Sequence, residues 1–444
     1  MGGCPSCLWC KYRLSLVLMK DFITALRNDG FAGDIDVSDV TRDFYSHDAS
    51  LFEIRPQVVI FPKHAQDVEL AVGTVAKLKK KHPKTHAHLS ITARSAGTDM
   101  SGGAINDSVI MDFSRFFNKI HKTSARAAHA QPGVFFRDFD LATKKHNALL
   151  PSYPASRDLC TIGGMVNNNS GGEKSLEFGK TENYVTELSV VFADGVERTV
   201  KPLNLKELQA KVKQNDYEGK LYRHMYTLTE ENYDAIKSAK PKVSKNSTGY
   251  NLWDVWDRKT ETFDLTKLII GAQGTLGFVT DIKFRLVKRR PHSGLLVMFL
   301  KDIDKLGEII NIVLKHKPAT FESFDDATLL LSIRFLPYFL KMLGPKAFIK
   351  LLFGLIPDAA QLIHGIPKLI LMVEFNARLK MKSVKRSKLC IRSLACAVAT
   401  MRSMASKKMI TSLRAKSSGL CAVKASKSCA RRLKISTRHH LLMT

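Results

Sequence analysis

The stretch from residue 88 to residue 117 constrains the fold more than any other part of the chain. Two short apolar runs, residues 89–92 and 109–111, are rich in β-branched side chains and therefore predict two strands. The loop between them is dense in small, hydroxylated and charged residues. These residues are Arg94, Ser95, Gly97, Thr98, Ser101, Gly102 and Gly103. The order that this pattern predicts is strand, anion-binding loop, strand.

The composition of this loop suits a bound phosphate group. Glycine lets the backbone approach a ligand closely and turn successive N–H groups toward it, while serine and threonine add hydroxyl donors. Arg94 adds a permanently charged, forked donor of the kind that binds a pyrophosphate. Neither the GxxxxGK[ST] nor the GxGxxG nucleotide-binding motif is present in the loop. Taken alone, the loop could equally be a glycine- and serine-rich surface turn.

Two further segments of the chain are also rich in small residues. The second segment, residues 154–179, contains the sequences TIGG and NNNSGG, and the third, residues 271–280, reads GAQGTLGFVT. Their backbone amides and polar side chains supply many donors, and three such loops in one chain are hard to explain as surface turns. The sequence therefore predicts that the three loops meet around one ligand.

The three loops together closely resemble the PCMH-type FAD-binding domain of the vanillyl-alcohol oxidase family, in the branch of the D-lactate dehydrogenases and glycolate oxidase subunits. The first resembles the pyrophosphate loop of that family, the second its TIGG(x)4NxGG flavin wall, and the third its GSEGTLGxVT strand entry. Residues 245–250 resemble its KNxxGY element, and residues 55–59 its opening RPxxVV strand. The resemblance extends roughly over residues 20–376.

The chain departs from the family pattern at four positions. Gln273 stands where glutamate is usual, and Phe178 replaces the common tyrosine before Gly179. Asp99 and Met100 lie inside the segment that resembles the pyrophosphate loop.

The resemblance implies FAD as the cofactor and an α+β fold. The expected architecture is a two-subdomain PCMH-type FAD-binding domain, followed by an incomplete α+β cap domain and an irregular basic tail. The expected boundaries are an N-terminal extension at 1–18, the FAD-binding domain at 19–288, the partial substrate cap at 289–376 and the tail at 377–444. The cofactor-binding residues that the resemblance implies are Arg94, Ser95, Gly97, Thr98, Ser101, Gly102, Pro154, Thr161, Gly163, Gly164, Asn168, Ser170, Gly171, Gly172, Gly179, Gln273, Gly274, Thr275, Gly277 and Val279.

Local patterns predict individual elements of the fold. Apolar periodicity and turn residues predict a strand at 57–62, a helix at 65–79, a hairpin around Asp194-Gly195, sheet-covering helices within 205–240 and a strand at 281–287. The same signals predict, in the cap, strands at 294–299 and 320–325 and a helix at 304–316. Residues 335–371 are strongly apolar with scattered lysines. They fit a buried pair of cap helices, which is the commoner explanation, or a segment that lies on a membrane surface.

The formal net charge of +28 would suggest a nucleic-acid or membrane partner, but most of it belongs to the tail. Residues 377–444 hold 18 Lys or Arg and no acidic residue, which leaves +10 on residues 1–376. The tail also lacks aromatic residues and repeats, so we expect no specific nucleic-acid partner. The composition changes abruptly after the predicted strand Leu-Met-Val-Glu-Phe. This change leads to the hypothesis that the tail is translated from a shifted reading frame.

The eight cysteines lie mostly outside the part that resembles the flavoprotein. This distribution argues against a disulfide framework and favours a reducing compartment. Cys4, Cys7 and Cys10 have a spacing that can bind a metal ion or a cluster, but no fourth ligand is evident nearby. The sequence therefore assigns no metal ligand. Cys160 is expected to be a small buried residue.

The function that the resemblance implies is FAD-dependent oxidation of a 2-hydroxy acid, such as D-lactate or glycolate, by hydride transfer to the flavin. Electrons would then pass to a quinone, a cytochrome or a flavoprotein. In that branch a histidine, often within an HAGDGNxH motif of the cap, handles the substrate hydroxyl, and this motif is absent here. We therefore nominate no catalytic residue.

Two alternative functions are open. One is a sugar-lactone or alcohol oxidase of the same fold. The other is a truncated form that binds the cofactor with impaired catalysis and carries a basic tail for nucleic acid or membrane. We expect a cytoplasmic protein with peripheral contact at the inner face of the membrane.

Overall fold

The computed structural model describes residues 8–243, 245–290, 292–338, 366–377, 389–390 and 393. The chain divides into two units, residues 1–289 and 290–444. This division falls one residue after the expected end of the FAD-binding domain, at residue 288. Residues 339–365 of the apolar stretch and almost all of the basic tail lie outside the described residues. Cys4 and Cys7 lie outside them as well.

The first part of unit one is a small sheet covered by helices. Its elements are α1 (Leu8–Asn28), β1 (Asp34–Asp36), α2 (Asp39–Phe44), β2 (Val58–Phe61), α3 (Ala65–Lys81), β3 (Ile91–Arg94) and β4 (Val109–Asp112). The strand order is β1-β2-β4-β3, with β2, β4 and β3 parallel and β1 antiparallel at one edge. The predicted strands on either side of the first loop, the strand at 57–62 and the helix at 65–79 are confirmed.

This sheet is buried because helices pack against it. All four residues of β2 and all four of β4 are buried, as expected for parallel strands that are covered on both faces. Phe22 and Leu26 of α1 and Val68 of α3 pack in the same core as these strands. Helix α1 is continuous across residue 18, where the sequence predicted that an extension ends.

The second part of unit one is built on an antiparallel sheet of five strands. Its elements are β5 (Ile120–Thr123), β6 (Ala127–Ala130), α4 (Phe136–Lys144), β7 (Ala148–Leu149), α5 (Ile162–Asn167), α6 (Ser175–Phe178), β8 (Val185–Val191), β9 (Glu197–Val200), β10 (Leu203–Asn204), α7 (Leu205–Val212), α8 (Tyr217–Glu231), α9 (Tyr233–Ser238), β11 (Trp256–Asp257), β12 (Thr262–Phe263), α10 (Thr266–Ile269), β13 (Phe278–Arg285) and β14 (Val287–Lys288). Short 3-10 turns occupy Thr181–Asn183 and Leu252–Asp254.

The large sheet has the order β5-β6-β13-β8-β9, and its neighbouring strands are all antiparallel. Strands β10, β12 and β11 form a small sheet, and β7 pairs with β14. The hairpin of β8 and β9 turns at Gly195, whose φ of 75° favours glycine, so this prediction is confirmed. The predicted helices within 205–240 are also confirmed, and a capping box between Asn204 and Glu207 begins the first of them.

The described part of unit two is a sheet of three antiparallel strands with two helices. Its elements are β15 (His292–Leu300), α11 (Leu306–Lys315), β16 (Thr320–Asp325), α12 (Asp326–Arg334) and β17 (Leu369–Ala377). The strand order is β15-β17-β16, and Val313 of α11 packs against Val373 and Phe375 of the central strand. The strands and the helix predicted before residue 326 are confirmed. None of the helices in the described part of the chain combines the length and the hydropathy that a membrane span requires.

Candidate functional site

The three small-residue loops of unit one meet around one cleft. Arg94 from the first loop, Gly164 from the second and Gly277 from the third all line it. The cleft opens to solvent, and the space within it and at its mouth amounts to about 910 Å³. The predicted site residues that line it are Arg94, Ser95, Gly97, Thr98, Pro154, Thr161, Gly163, Gly164, Asn168, Ser170, Gln273, Gly274, Gly277 and Val279.

A side-chain hydrogen bond joins the first loop to the second. Ser95 Oγ lies 2.6 Å from Thr161 Oγ1, and Thr161 Oγ1 also accepts a hydrogen bond of 3.2 Å from the backbone N–H of Gly164. Thr161 is the N-cap of helix α5. Its hydroxyl therefore caps the N-terminus of that helix and also connects the helix to the first loop.

Backbone hydrogen bonds join the second loop to the third. The N–H of Gly271 donates to the carbonyl of Val166 at 3.0 Å, and the N–H of Gln273 donates to the carbonyl of Asn167 at 2.9 Å. The hydroxyls of Tyr250 and Thr275 lie 2.8 Å apart, so the KNxxGY-like element is also tied to the third loop. Hydrogen bonds therefore connect the three loops around the cleft, although the loops are distant in the chain.

Close packing explains two of the glycines in this unit. A Cβ on Gly163 would lie 2.4 Å from Pro132 Cβ and 2.7 Å from Pro132 O, where nothing can move aside easily. Gly97 has a φ of 64°, and a Cβ there would lie 2.7 Å from Arg94 Nη2. Glycine at these positions lets the loops pack closely around the cleft.

Arg94 is buried beneath the first loop. Its Nη1 donates to the carbonyl oxygens of Tyr45 at 3.2 Å and Ala104 at 3.5 Å, and its guanidinium carbon lies 4.9 Å from the centre of the Tyr45 ring. The charge thus lies at the wall of the cleft, while Nη1 joins the backbone of the first loop at Ala104 to the backbone after helix α2 at Tyr45. Burial lowers the pKa of Arg94 from its ordinary value.

A buried carboxylate lies near this arginine. The Tyr45 hydroxyl donates to Asp112 Oδ2 at 3.0 Å, and Asp112 Oδ1 accepts from the N–H and the hydroxyl of Ser114 at 2.7 Å each. Burial raises the pKa of Asp112, although these hydrogen bonds oppose the shift. Burial, together with the nearby Asp112 carboxylate, also raises the pKa of Tyr45. Sequence patterns did not indicate this Tyr45–Asp112–Arg94 cluster, because Tyr45 lies 49 residues before Arg94 and 67 before Asp112.

The carboxylate of Asp99 is occupied within the first loop. Its Oδ2 accepts a hydrogen bond of 2.5 Å from the Ser101 hydroxyl and one of 3.2 Å from the N–H of Gly103. These two bonds compensate the negative charge that the resemblance did not lead us to expect in a pyrophosphate loop. Ser101 therefore uses its hydroxyl inside the loop.

Six of the residues that the sequence nominated do not line the cleft. They are Ser101, Gly102, Gly171, Gly172, Gly179 and Thr275. A Cβ on Gly172 would lie 2.3 Å from the carbonyl oxygen of Tyr153, so this glycine serves close packing between two backbone segments. Gly179 has a φ of 74° and ends helix α6. The binding role of every nominated residue stays a prediction.

Several residues line the cleft that the sequence did not single out as binding residues. These are Ala93, Ala96, Asp99, Gly103, Ala104, Phe113, Pro132, Ser156, Cys160, Met165 and Asn167. Most are small or apolar and lie next to nominated positions, so proximity in sequence was the available signal. Cys160 is buried, as expected, and burial raises the pKa of its thiol to about 12. It is therefore a packing residue with little thiolate at neutral pH.

Comparison with known proteins places these observations in a family. Residues 56–201 match the family described as FAD binding domain, and this range contains the first two loops. The chain is 28% identical over 317 residues to a D-2-hydroxyglutarate dehydrogenase of Pseudomonas putida, covering 71% of this chain and 31% of that protein. It is 26% identical over 303 residues to the glycolate oxidase subunit GlcD of Bacillus subtilis, covering 67% of this chain and 52% of that protein.

A solved structure of alkyldihydroxyacetonephosphate synthase has a similar fold. The TM-score is 0.58 at 14% sequence identity, over 85% of this chain and 59% of that chain. Identity at this level supports the fold alone. The chain spans about a third of the length of the D-2-hydroxyglutarate dehydrogenase that it matches.

The residues that line the cleft suit the different parts of FAD. Hydroxyl and amide side chains such as Ser95, Thr98 and Asn168 suit the polar parts of a dinucleotide, while Phe113 and Val279 offer apolar surface to a planar ring. A Cβ on Gly164 would lie 3.3 Å from Thr161 Oγ1 and 3.7 Å from Ser95 Oγ, so the absence of a side chain lets the first two loops pack closely beside the cleft. The match of residues 56–201 to the FAD binding domain family confirms the prediction of FAD as the cofactor. Residues 56–201 belong to the FAD binding domain family, and the chain carries an FAD-binding domain of the PCMH type.

Proposed function

We propose that this chain is part or all of an FAD-dependent oxidoreductase that oxidises a 2-hydroxy acid and passes the electrons to an acceptor other than oxygen. The observation that carries the proposal is the meeting of the three loops around one cleft in a domain of the FAD binding family. The substrate class is inferred from the relatives, which include a D-2-hydroxyglutarate dehydrogenase and a glycolate oxidase subunit. D-2-hydroxyglutarate, D-lactate and glycolate are therefore the first substrates to test.

The residues of the cleft would bind and orient the cofactor. When bound, FAD supplies a ring that accepts a hydride from the carbon that bears the substrate hydroxyl. The positive charge of Arg94 at the cleft wall favours the pyrophosphate, and the Ser95–Thr161 hydrogen bond holds the first two loops at a fixed separation. The work of these residues is positioning, which determines how well the reacting atoms are aligned.

The cleft itself offers no evident base for the substrate hydroxyl. No histidine is among the described residues that line it, and the carboxylate of Asp99 is bonded to Ser101 and Gly103. A base must lie within hydrogen-bond reach of the proton that it removes. We therefore infer that the group that handles the hydroxyl proton lies outside this cleft, and we assign no catalytic residue.

Cofactor binding and turnover can be tested separately. The full chain is purified, saturated with FAD and freed of excess cofactor by gel filtration, and the bound flavin is measured after denaturation. We expect about one FAD per chain, since one cleft holds all three loops. Folded protein that retains no FAD would contradict the cofactor assignment and with it the proposed function.

The second measurement is anaerobic reduction of the bound flavin. The loaded protein is mixed with D-2-hydroxyglutarate, D-lactate or glycolate, and bleaching of the visible flavin absorbance is followed. L-lactate and L-2-hydroxyglutarate serve as controls. Bleaching by one of the first three substrates, and not by the controls, would support the proposal. Bleaching only by sugar lactones or simple alcohols would instead indicate the alternative oxidase function.

The electron acceptor can be identified with the same preparation. Reoxidation of the substrate-reduced protein by air, by a soluble quinone and by cytochrome c is compared. We expect slow reoxidation in air and faster reoxidation by one of the other two acceptors. A protein that binds FAD but is bleached by none of these substrates would fit a cofactor-binding form with impaired catalysis. The proposal also includes a cytoplasmic location for this protein, with peripheral contact at a membrane surface.

A further inference from the structure

Two histidines and one aspartate of the large sheet point their polar atoms at one another. His121 lies on β5, His129 on β6 and Asp281 on β13. His129 Nε2 lies 2.6 Å from Asp281 Oδ1, and His121 Nε2 lies 3.1 Å from Asp281 Oδ2. The two imidazole rings are 4.5 Å apart between their centres. None of the three residues lines the flavin cleft.

Irregular strand pairing directs two of these side chains toward the third. The register of β5 against β6 shifts between Ile120 and Lys122, and the register of β13 against β8 shifts between Val279 and Asp281. A shift of this kind is a β-bulge, which turns side chains away from the regular alternation of a strand. The first shift leaves His121 unpaired, and the second lies at Thr280, directly before Asp281.

The cluster lies on the outer face of the sheet. Ala128 and Ala130, on either side of His129, are buried, and so is Ile282 beside Asp281. The side chains of His121, His129 and Asp281 keep between 24% and 35% of their surface exposed, so a dissolved ion can reach them. Lys283, two residues after Asp281, is paired with Glu187 at 2.7 Å, so its positive charge is compensated.

The chemistry of the three groups matches a transition-metal ligand set. One ligand atom from each of the three residues can be chosen so that all lie within 4.8 Å of one another. Two imidazole nitrogens and one carboxylate oxygen are a common set of three protein ligands for zinc, with a water molecule in the fourth position. An aspartate can also simply accept hydrogen bonds from two histidines, and the experiment below separates these two cases.

We propose that His121, His129 and Asp281 bind one divalent metal ion of the zinc class. The ion would connect three neighbouring strands, β5, β6 and β13. It would thereby stabilise the outer face of the large sheet, whose strand β13 continues from the third loop. The site is independent of the proposed oxidoreductase function, because none of its ligands touches the cleft. The sequence assigned no metal ligand here, since Asp281 is far along the chain from the two histidines.

The test compares metal binding in matched variants of the full chain. Cys4, Cys7 and Cys10 are first replaced by serine, because thiolates at that spacing would compete for the metal. In this background, zinc chloride is titrated calorimetrically into metal-free protein carrying either no further change, His121→Ala, Asp281→Asn or His224→Ala. His224 is an exposed histidine on α8 whose ring contacts Lys220 O at 2.8 Å, so it serves as the control.

We expect His121→Ala and Asp281→Asn each to lose one equivalent of bound zinc, while His224→Ala keeps it. Asp281→Asn is nearly isosteric, so it removes the negative ligand with little change in packing. Equal stoichiometry in all four proteins would overturn the proposal.

A second measurement does not depend on counting sites. Ligand that binds only the folded state raises the thermal unfolding midpoint. Zinc should therefore raise the midpoint of the parent protein and of His224→Ala, and should leave that of His121→Ala unchanged. An equal rise in all of them would place the bound zinc elsewhere and overturn the proposal. Zinc binding and the unfolding midpoint are measured independently of flavin reduction. The metal-site proposal can therefore be wrong while the proposed function is right, and the proposed function can be wrong while the metal site is right.

Discussion

Ser95 Oγ and Thr161 Oγ1 lie 2.6 Å apart although 66 residues separate them in the chain. The same threonine hydroxyl caps helix α5 through the N–H of Gly164. One oxygen atom therefore links the first loop, the second loop and the beginning of a helix that lines the cleft. This arrangement makes Thr161 a position where stability and cofactor binding should change together.

Thr161→Val should lower the free energy of unfolding by about 1–2 kcal/mol, because the buried residue keeps its shape but loses the helix cap and the bond to Ser95. FAD affinity should fall about tenfold if a comparable energy is lost in the bound state. Urea unfolding of the FAD-free protein and a fluorescence titration with FAD measure the two effects. Thr161→Ser retains the oxygen and is the control. Unchanged FAD affinity in the valine variant would contradict the proposed role of this bond.

Gly163→Ala and Gly164→Ala form a second matched pair. A methyl group on Gly163 would meet Pro132 within 2.4 Å, whereas one on Gly164 would lie 3.3 Å from Thr161 Oγ1, its nearest neighbour. We expect Gly163→Ala to destabilise the FAD-free protein by about 1–3 kcal/mol through overpacking. Gly164→Ala should leave its stability within about 1 kcal/mol and chiefly weaken FAD binding, because Gly164 lines the cleft.

The two glycine variants are compared by thermal unfolding without cofactor and by retained FAD after gel filtration. The opposite pattern, with a stable Gly163→Ala protein and an unfolded Gly164→Ala protein, would show that the cleft is built differently. If Gly164→Ala and the parent retain the same amount of FAD, Gly164 does not contact the bound cofactor.

Arg94→Ala should destabilise the FAD-free protein by about 2–4 kcal/mol. The substitution leaves the carbonyls of Tyr45 and Ala104 without their charged donor and creates a void beside the Tyr45 ring. Arg137→Ala is the control, because Arg137 also stacks on an aromatic ring and donates to a backbone carbonyl, but is exposed. Its cost should stay below about 1 kcal/mol. Urea unfolding measures both, and equal costs would contradict the organising role of Arg94.

The buried carboxyl of Asp112 should produce a measurable pH dependence of stability. Burial raises the pKa of Asp112 in the folded protein above its ordinary value of 3.8. The folded state then binds more protons than the unfolded state, so the contribution of Asp112 is present below about 3.8 and is lost as the pH rises through the folded pKa. Relative to Asp112→Asn, the parent should lose up to about 1.4 kcal/mol per pH unit within that window.

Urea unfolding of the two proteins across the acid range tests this expectation. Tyr45→Phe adds a second check, because the Tyr45 hydroxyl donates to the carboxylate and its removal should extend the loss of stability to higher pH. A stability difference between the parent and Asp112→Asn that grows in the parent's favour as the pH rises would show that the pKa is lowered instead.

The sequence by itself determined the local elements and the presence of the three loops. Strand β2, helix α3 and the hairpin at Gly195 follow from apolar periodicity and from turn residues, which are properties of neighbouring positions. The resemblance of the glycine-rich motifs to a known family implied the cofactor, and the small residues by themselves indicated only loops that a phosphate can approach closely.

Only the tertiary structure decided which atoms of these loops face the cleft. Ser101 turns to Asp99, Gly172 packs against Tyr153, and Arg94 reaches back to Tyr45. In each case the orientation of a loop residue depends on a contact that the periodicity of the sequence does not specify. The His121, His129 and Asp281 cluster has the same origin, because strand order and two shifts of register bring its members together.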